Sequence, residues 1–167
     1  AGGVSPNAVV VPVDATGEVC LWSLVETDVV VDVSAWFGGG PGDGVNVASE
    51  RLVDSRKGVR LGADTVLRVP LTGVGGADGV PAVGVSGVAL NVTAVLPSGD
   101  GHMTVWPCGL ARPGTSSVNF RAGGVSPNAV VVPVDATGEV CLWSLVETDV
   151  VVDVSAWFGG GPGDGVN

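Results

Sequence analysis

The chain has 167 residues, 46% of them hydrophobic and 14% charged, with a net charge of −10 and a pI near 4.1. That is enough apolar material for one cored domain, while a strongly acidic chain lacks the clustered Lys and Arg that phosphate binding needs, which excludes nucleic acid as a partner. No apolar run reaches the roughly 20 residues that span a bilayer, so no membrane span is expected in this fragment.

Twenty-eight Gly and eleven Pro, with Val dominant among the apolar residues, favour short strands joined by tight turns. Along the chain the first feature is a repeat. Residues 1–46 recur letter for letter at 122–167, a period of 121 residues, so the chain holds about 1.4 repeats. A unit of that length is domain-sized. Beginning with Ala, the chain reads as a piece of a longer tandem array whose targeting signals lie outside it. Residues 1–37 then read as the C-terminal strands of a preceding, truncated repeat and 38–46 as a Gly/Pro linker. Residues 47–158 form a complete β domain, and 159–167 repeat the linker. Charge follows this division. Each 46-residue copy has six acids and no Lys or Arg, whereas residues 47–121 have five acids and all seven basic residues, which makes the middle segment the electrostatic partner of either copy.

Inside the domain, Arg51–Val53 and the alternating Leu67, Val69 and Leu71 are the first strand signals. Val88, Leu90, Val92, Ala94 and Leu96 alternate with Ala89, Asn91, Thr93 and Val95, and Pro97–Gly101 is expected to return the chain into His102–Trp106 as a hairpin. A second hairpin is expected from Ala129–Val134 and Glu139–Leu145 about the Asp135–Gly138 turn. The last strand, Asp149–Phe158, places Val150, Val152, Val154, Ala156 and Phe158 on one face, with Asp149, Asp153, Ser155 and Trp157 mostly on the other. Seven or eight short antiparallel strands at this spacing predict an all-β protein, an antiparallel β-sandwich of jelly-roll-like type, with a compact β-barrel as the alternative.

The period also sorts the three cysteines: Cys108 and Cys141 belong to one unit, and Cys20 is the second cysteine of the other. Cys108 and Cys141 either form a disulfide, closing a loop worth roughly 3–4 kcal/mol on the chain-entropy model, or are two buried thiols. A disulfide places the chain in an oxidising, extracellular setting. Cys20 is then unpaired in this chain or paired with a neighbouring copy.

Four ordered stretches, "RLVDSR" (51–56), "VALNVTAVLPSGDGHMTVWPCG" (88–109), "RPGTSSVNF" (112–120) and "TDVVVDVSAWF" (148–158), carry a family likeness. Residues 47–158 resemble a repeated β-rich domain of large secreted and cell-surface proteins of actinobacteria. The resemblance implies secretion and the usual Cys pair, and supplies no catalytic or ligand-binding residue to carry over. Ser55 stands where the family usually has Thr, and Trp157 where it often has Tyr.

No catalytic constellation is legible, and no enzyme activity or cofactor is expected. His102 is the single His and follows a Gly-Asp-Gly turn, without a second group to form a catalytic pair. Asp100, Asp135 and Asp164 lie in Gly-rich turns, where turn chemistry accounts for Asp, and none sits in a D-x-D-x-D-G cation loop. Arg51 and Arg56 differ in strand parity and need not share a face with Asp54, and the three read as a structural ion pair tying the N-terminal strand to an acidic neighbour. Asn91-Val92-Thr93 fits a glycosylation sequon. Trp106, Trp143 and Trp157, with Trp22 and Trp36 as their further copies, either stack on sugar rings from a shared face or are buried between two sheets. The functional expectation is a structural repeat of an extracellular surface stalk or filament. Its partners are copies of itself, assembled head-to-tail by strand complementation between repeats or chains. The alternative is a module that binds cell-wall or other carbohydrate through exposed Trp.

Overall fold

The computed structural model describes residues 7–31, 44–75 and 79–159, with side chains omitted for 44–48. Eight strands follow one another: β1 (Gly44–Asp54), β2 (Thr65–Pro70), β3 (Val85–Val95), β4 (Gly101–Pro107), β5 (Val118–Phe120), β6 (Val125–Pro133), β7 (Glu139–Ser144) and β8 (Asp149–Gly159). A short 3-10 turn, Ser55–Lys57, follows β1.

They form two antiparallel four-stranded sheets, in the orders β1-β8-β3-β6 and β2-β7-β4-β5, and the sheets do not close into a barrel. The chain changes sheet at every connection except β4 to β5, which is the winding of a jelly roll. Both expected hairpins are therefore corrected. β3 pairs with β8 and β6, and β4 with β7 and β5, so the Pro97–Gly101 turn carries the chain from one sheet to the other. β6 and β7 are likewise in opposite sheets. Period-2 alternation says which face of a strand is apolar, and a hairpin and an inter-sheet arch need the same alternation. Leu96, at φ 47°, begins the first of these arches in the left-handed region that few non-Gly residues adopt.

The inward faces meet in one core. Val88, Leu90 and Val92 of β3, with Val150, Val152 and Val154 of β8, lie against Met103 and Val105 of β4 and Val140 and Leu142 of β7. β8 departs from the expected alternation at Ser155. Leu90 pairs with Val154 but Ala89 with Ala156, so Ser155 is an extra residue and the faces exchange beyond it. Trp157 therefore turns to the core side opposite Val88, and Ala156 and Phe158 go to the outer face, the reverse of the expected assignment. The strand also runs further than its apolar pattern indicated. Gly44, Val45 and Asn46, expected in the linker, pair with Phe158, Trp157 and Ala156, so β1 extends back to Gly44 and β8 runs to Gly159.

Packing as well as conformation fixes the glycine of the β6–β7 turn. Gly138, at φ 70°, closes the β6–β7 turn, and a Cβ there would collide with Thr72 Oγ1.

Leu90 is 1% exposed at the centre of the core. Leu90→Ala should lower unfolding free energy by about 2–5 kcal/mol, read as a fall in the urea midpoint, whereas Val66→Ala, on the exposed side of β2, should stay within about 0.5 kcal/mol of the parent.

Candidate assembly interface

The repeated stretch is present in two environments, and its two copies differ in everything that needs a partner. In the second copy Val140, Leu142, Trp143, Val150, Val151 and Val152 are 0%, 0%, 6%, 0%, 5% and 0% exposed; their counterparts Val19, Leu21, Trp22, Val29, Val30 and Val31 are 45%, 66%, 83%, 58%, 86% and 59% exposed. Residues 7–31 contain no strand, although the same letters form β6, β7 and the start of β8. What survives in both copies is local. Asp14 and Asp135 each accept a bond from the backbone N–H two residues on, Thr16 and Thr137, at 2.8 and 2.9 Å. Gly17 and Gly138 both take positive φ and donate to the carbonyls of Asp14 and Asp135. Ser23 and Ser144 donate to the carbonyls of Val25 and Val146. An Asx turn closes on its own side chain; a strand closes only on another strand.

The first copy touches the domain at β6, the free edge of the β1-β8-β3-β6 sheet. Asn7 Nδ2 donates to Asn91 Oδ1 at 3.1 Å, and Asn7 Oδ1 accepts the Ala129 backbone N–H at 3.1 Å. Pro127 and Pro133 share the parity of Ala129, so residues without an N–H stand where the strand turns its N–H groups away from β3. Between Asn7–Val11 and the strands lies a shallow cleft of about 190 Å³, floored by Ala89, Leu90, Ala129 and Val130 and mostly apolar.

Cys108, Cys141, Trp106 and Trp143 gather on the outer face of the other sheet. Cys108 and Cys141 form a disulfide with Cα atoms 5.0 Å apart, and Cys20 is free and exposed. Trp106 and Trp143 pack against the disulfide and are 7% and 6% exposed. They are covered from outside by the β4–β5 loop, not buried between the sheets. Trp106 Nε1 donates to the Leu110 carbonyl at 3.0 Å, Trp143 Nε1 to Asp64 Oδ1 at 2.7 Å, and the Arg112 guanidinium lies 3.7 Å over the Trp143 ring. Trp157 is on the opposite sheet, half-buried against the core, so the three do not share a face. Trp36 lies outside the described residues.

An ion-pair network joins β1 and its 3-10 turn to the second copy. Asp54 is chelated by Arg56 through Nε and Nη2 at 2.7 and 2.8 Å, with Arg51 Nη1 at 3.4 Å. The 3-10 turn is what lets residues of unlike strand parity converge on one carboxylate. Arg51 also grips Asp153 of β8 through Nε and Nη2. Ser55 Oγ donates to Asp149 Oδ1 at 2.9 Å and accepts the Val150 N–H at 2.8 Å. Arg60 meets Glu147 and Asp149, and Arg68 meets Glu139. Every described ion pair between the middle segment and a repeat copy uses the second copy, a choice that the charge division, equal for both copies, left open. Sequence reasoning missed Arg60, Arg68, Arg112 and Asp64 individually, although all but Asp64 are among the seven cations of that segment.

The remaining candidates have structural duties. Asp100 Oδ1 accepts the Ala122 N–H at 2.8 Å. Asp135 holds the N–H groups of Thr137 and Gly109 and the Thr137 hydroxyl, which, the hydroxyl foremost, depress its pKa below the ordinary carboxylate value. The His102 ring lies 5.4 Å from that of Trp143, and Asp164 is outside the described residues. Among the described residues no group of three or more His, Cys, Asp or Glu is placed to hold a metal, and no helix is long and apolar enough to cross a membrane. No model of a known protein family and no curated protein matches the chain.

Arg56, followed by Lys57, holds the Asp54 carboxyl at a pKa of about 2, down from 3.8. A depressed carboxylate stabilises the fold above its unfolded pKa and releases that stability as pH falls through the folded one, so the contribution of Asp54 should fade between about pH 4 and pH 2. A carboxyl-carbon NMR titration should place the Asp54 midpoint near 2 in the parent and move it upward in Arg56→Gln.

Proposed function

We propose that this chain is a structural repeat of an extracellular stalk or filament, in which each acidic C-terminal strand set completes the middle segment of a unit and successive units follow head-to-tail. The observation that carries the reading is the first copy. Residues 7–31 hold the sequence of most of β6, all of β7 and the start of β8 and expose much of it, while the acceptor for that sequence, residues 44–121, is filled by the second copy. One acceptor and two donors leave one donor over, and the partner that fits it is another acceptor of the same kind, in an adjoining repeat or another chain. Strand complementation of this kind supplies both the ladder hydrogen bonds and the apolar cover that residues 7–31 lack.

The disulfide supports an oxidising compartment, and so a secreted or cell-surface protein. The acidic surface, with a net charge of −10, favours solubility of an extended array. The likeness to repeated domains of actinobacterial surface proteins agrees with such a part. The other reading, a carbohydrate-binding module, has less behind it: Trp106 and Trp143 are covered, and Arg112 occupies a face of Trp143.

The test supplies the missing acceptor. A polypeptide spanning residues 44–121, mixed with the full chain at micromolar concentration, should be captured as a one-to-one complex by light scattering, with Trp22 fluorescence shifting to the blue as its ring is buried. Leu21→Asp, at a position exposed in the free chain, should abolish capture without unfolding the domain. Absence of a complex at tens of micromolar, or capture that survives Leu21→Asp, overturns the proposal.

A further inference from the structure

The acceptor formed by residues 44–121 also has two donors within its own chain, one at each end, with identical sequences over residues 1–46 and 122–167. The structure shows the second in place. The first has a covalent path to the same position. β1 begins at Gly44, paired with Phe158; the counterpart of Phe158 is Phe37, and only residues 38–43 separate Phe37 from Gly44. Antiparallel partners lie about 4.5–5.5 Å apart, a gap that the six-residue Gly-Gly-Gly-Pro-Gly-Asp segment closes as a hairpin loop. In that register Val31 faces Val53, as Val152 does now. The leading end of the first copy is already beside the strand it would replace, since Asn7 bonds Ala129, the neighbour of its own counterpart Asn128.

We infer that the chain has a second, circularly permuted native frame, in which residues 7–31 take the places of 128–152, the C-terminal copy is released, and Cys20 replaces Cys141 as the disulfide partner of Cys108. Every side-chain contact given up by one copy is regained by the other, because the letters are the same. Only the connections differ: the link from β5 to β6 is freed and the 38–43 segment becomes a loop. Closure entropy depends weakly on loop length, so the two frames lie within about tenfold of each other in population. The disulfide decides which is held. With Cys108 bonded to Cys141, the second copy is locked in; exchange proceeds when the Cys20 thiolate attacks the Cys108 sulfur, the Cys20–Cys108 bond forms, and Cys141 leaves as thiolate, with no net oxidation. The oxidised chain thus carries a thiol-triggered switch between its two ends. It operates within one molecule and does not rest on complementation between molecules.

Trypsin distinguishes the frames, because the peptides 1–51, 69–121 and 122–167 carry Cys20, Cys108 and Cys141 separately. The full chain, incubated at mildly alkaline pH with a catalytic amount of glutathione, quenched in acid and taken as the monomer from size exclusion, should yield both 1–51 linked to 69–121 and 69–121 linked to 122–167. Leu142→Asp, which ruins the buried position of the second copy, should remain folded by circular dichroism and contain only the Cys20–Cys108 bond. Leu21→Asp should contain only Cys108–Cys141, and the double variant should not fold. An unfolded Leu142→Asp chain, or one without the Cys20–Cys108 bond, overturns the inference. A Cys20–Cys108 bond confined to covalent oligomers also overturns it, while leaving complementation between molecules standing.

Discussion

The seating of β7 and β8 between their neighbours is the interaction on which the rest of this structure depends. β8 lies between β1 and β3 and β7 between β2 and β4, so each supplies ladder bonds on both edges and an apolar row to the core. Removed from those positions, the same residues have nothing to pair with. The first copy shows the consequence within one molecule: the Asp14–Gly17 turn forms as its twin does, yet the valines on either side of it stay in solvent. Strand formation here is a tertiary event, set by partners far away in sequence.

Because those partners all belong to residues 44–121, the middle segment is an acceptor that lacks its central strands. The cations lie where they bind the second copy. Arg51, Arg60 and Arg68 reach Asp153, Glu147, Asp149 and Glu139 across sheet neighbours or adjoining loops. These pairs are partly exposed, so each contributes little to stability on its own. Their arrangement favours an acidic strand set over any other apolar strand of similar shape, which is selectivity more than strength. Ser55 adds a neutral clamp, joining the 3-10 turn to β8 through Asp149 and the Val150 N–H.

Most of the fold was legible in the sequence because most of it rests on period-2 alternation, which is strong here. Val88 to Val95 and Glu139 to Ser144 were legible as strands, whereas Leu96 and Leu145, expected at their ends, lie beyond β3 and β7 and are exposed. The errors arose where the answer depends on distant residues. Alternation cannot distinguish a hairpin from an arch between sheets, so the partners of β3, β4, β6 and β7 were misassigned. A single bulged residue, Ser155, exchanged the faces of Trp157 and Phe158, and one extra residue leaves no mark in a run of small and apolar letters. The Cys108–Cys141 pair was accessible because the period separated it from Cys20. The sequence offered core burial for the tryptophans, but for Trp106 and Trp143 cover comes from a loop, held by Leu110 and Arg112, that has no hydrophobic pattern of its own.

A spare strand set is an aggregation hazard, and its composition bears on what it will join. Two spare copies meeting each other bring acids alone, since neither has a Lys or Arg; a spare copy meeting a middle segment brings its acids to a surface that holds all seven cations of the chain. Like charges oppose the first encounter and opposite charges favour the second. Pro12, the counterpart of the Pro133 at the free edge of β6, adds a backbone obstacle to sheet growth along the same edge. Charge therefore biases the exposed stretch against pairing with its own kind and towards a surface like the one that its twin already occupies, which is the pairing that the proposed complementation requires.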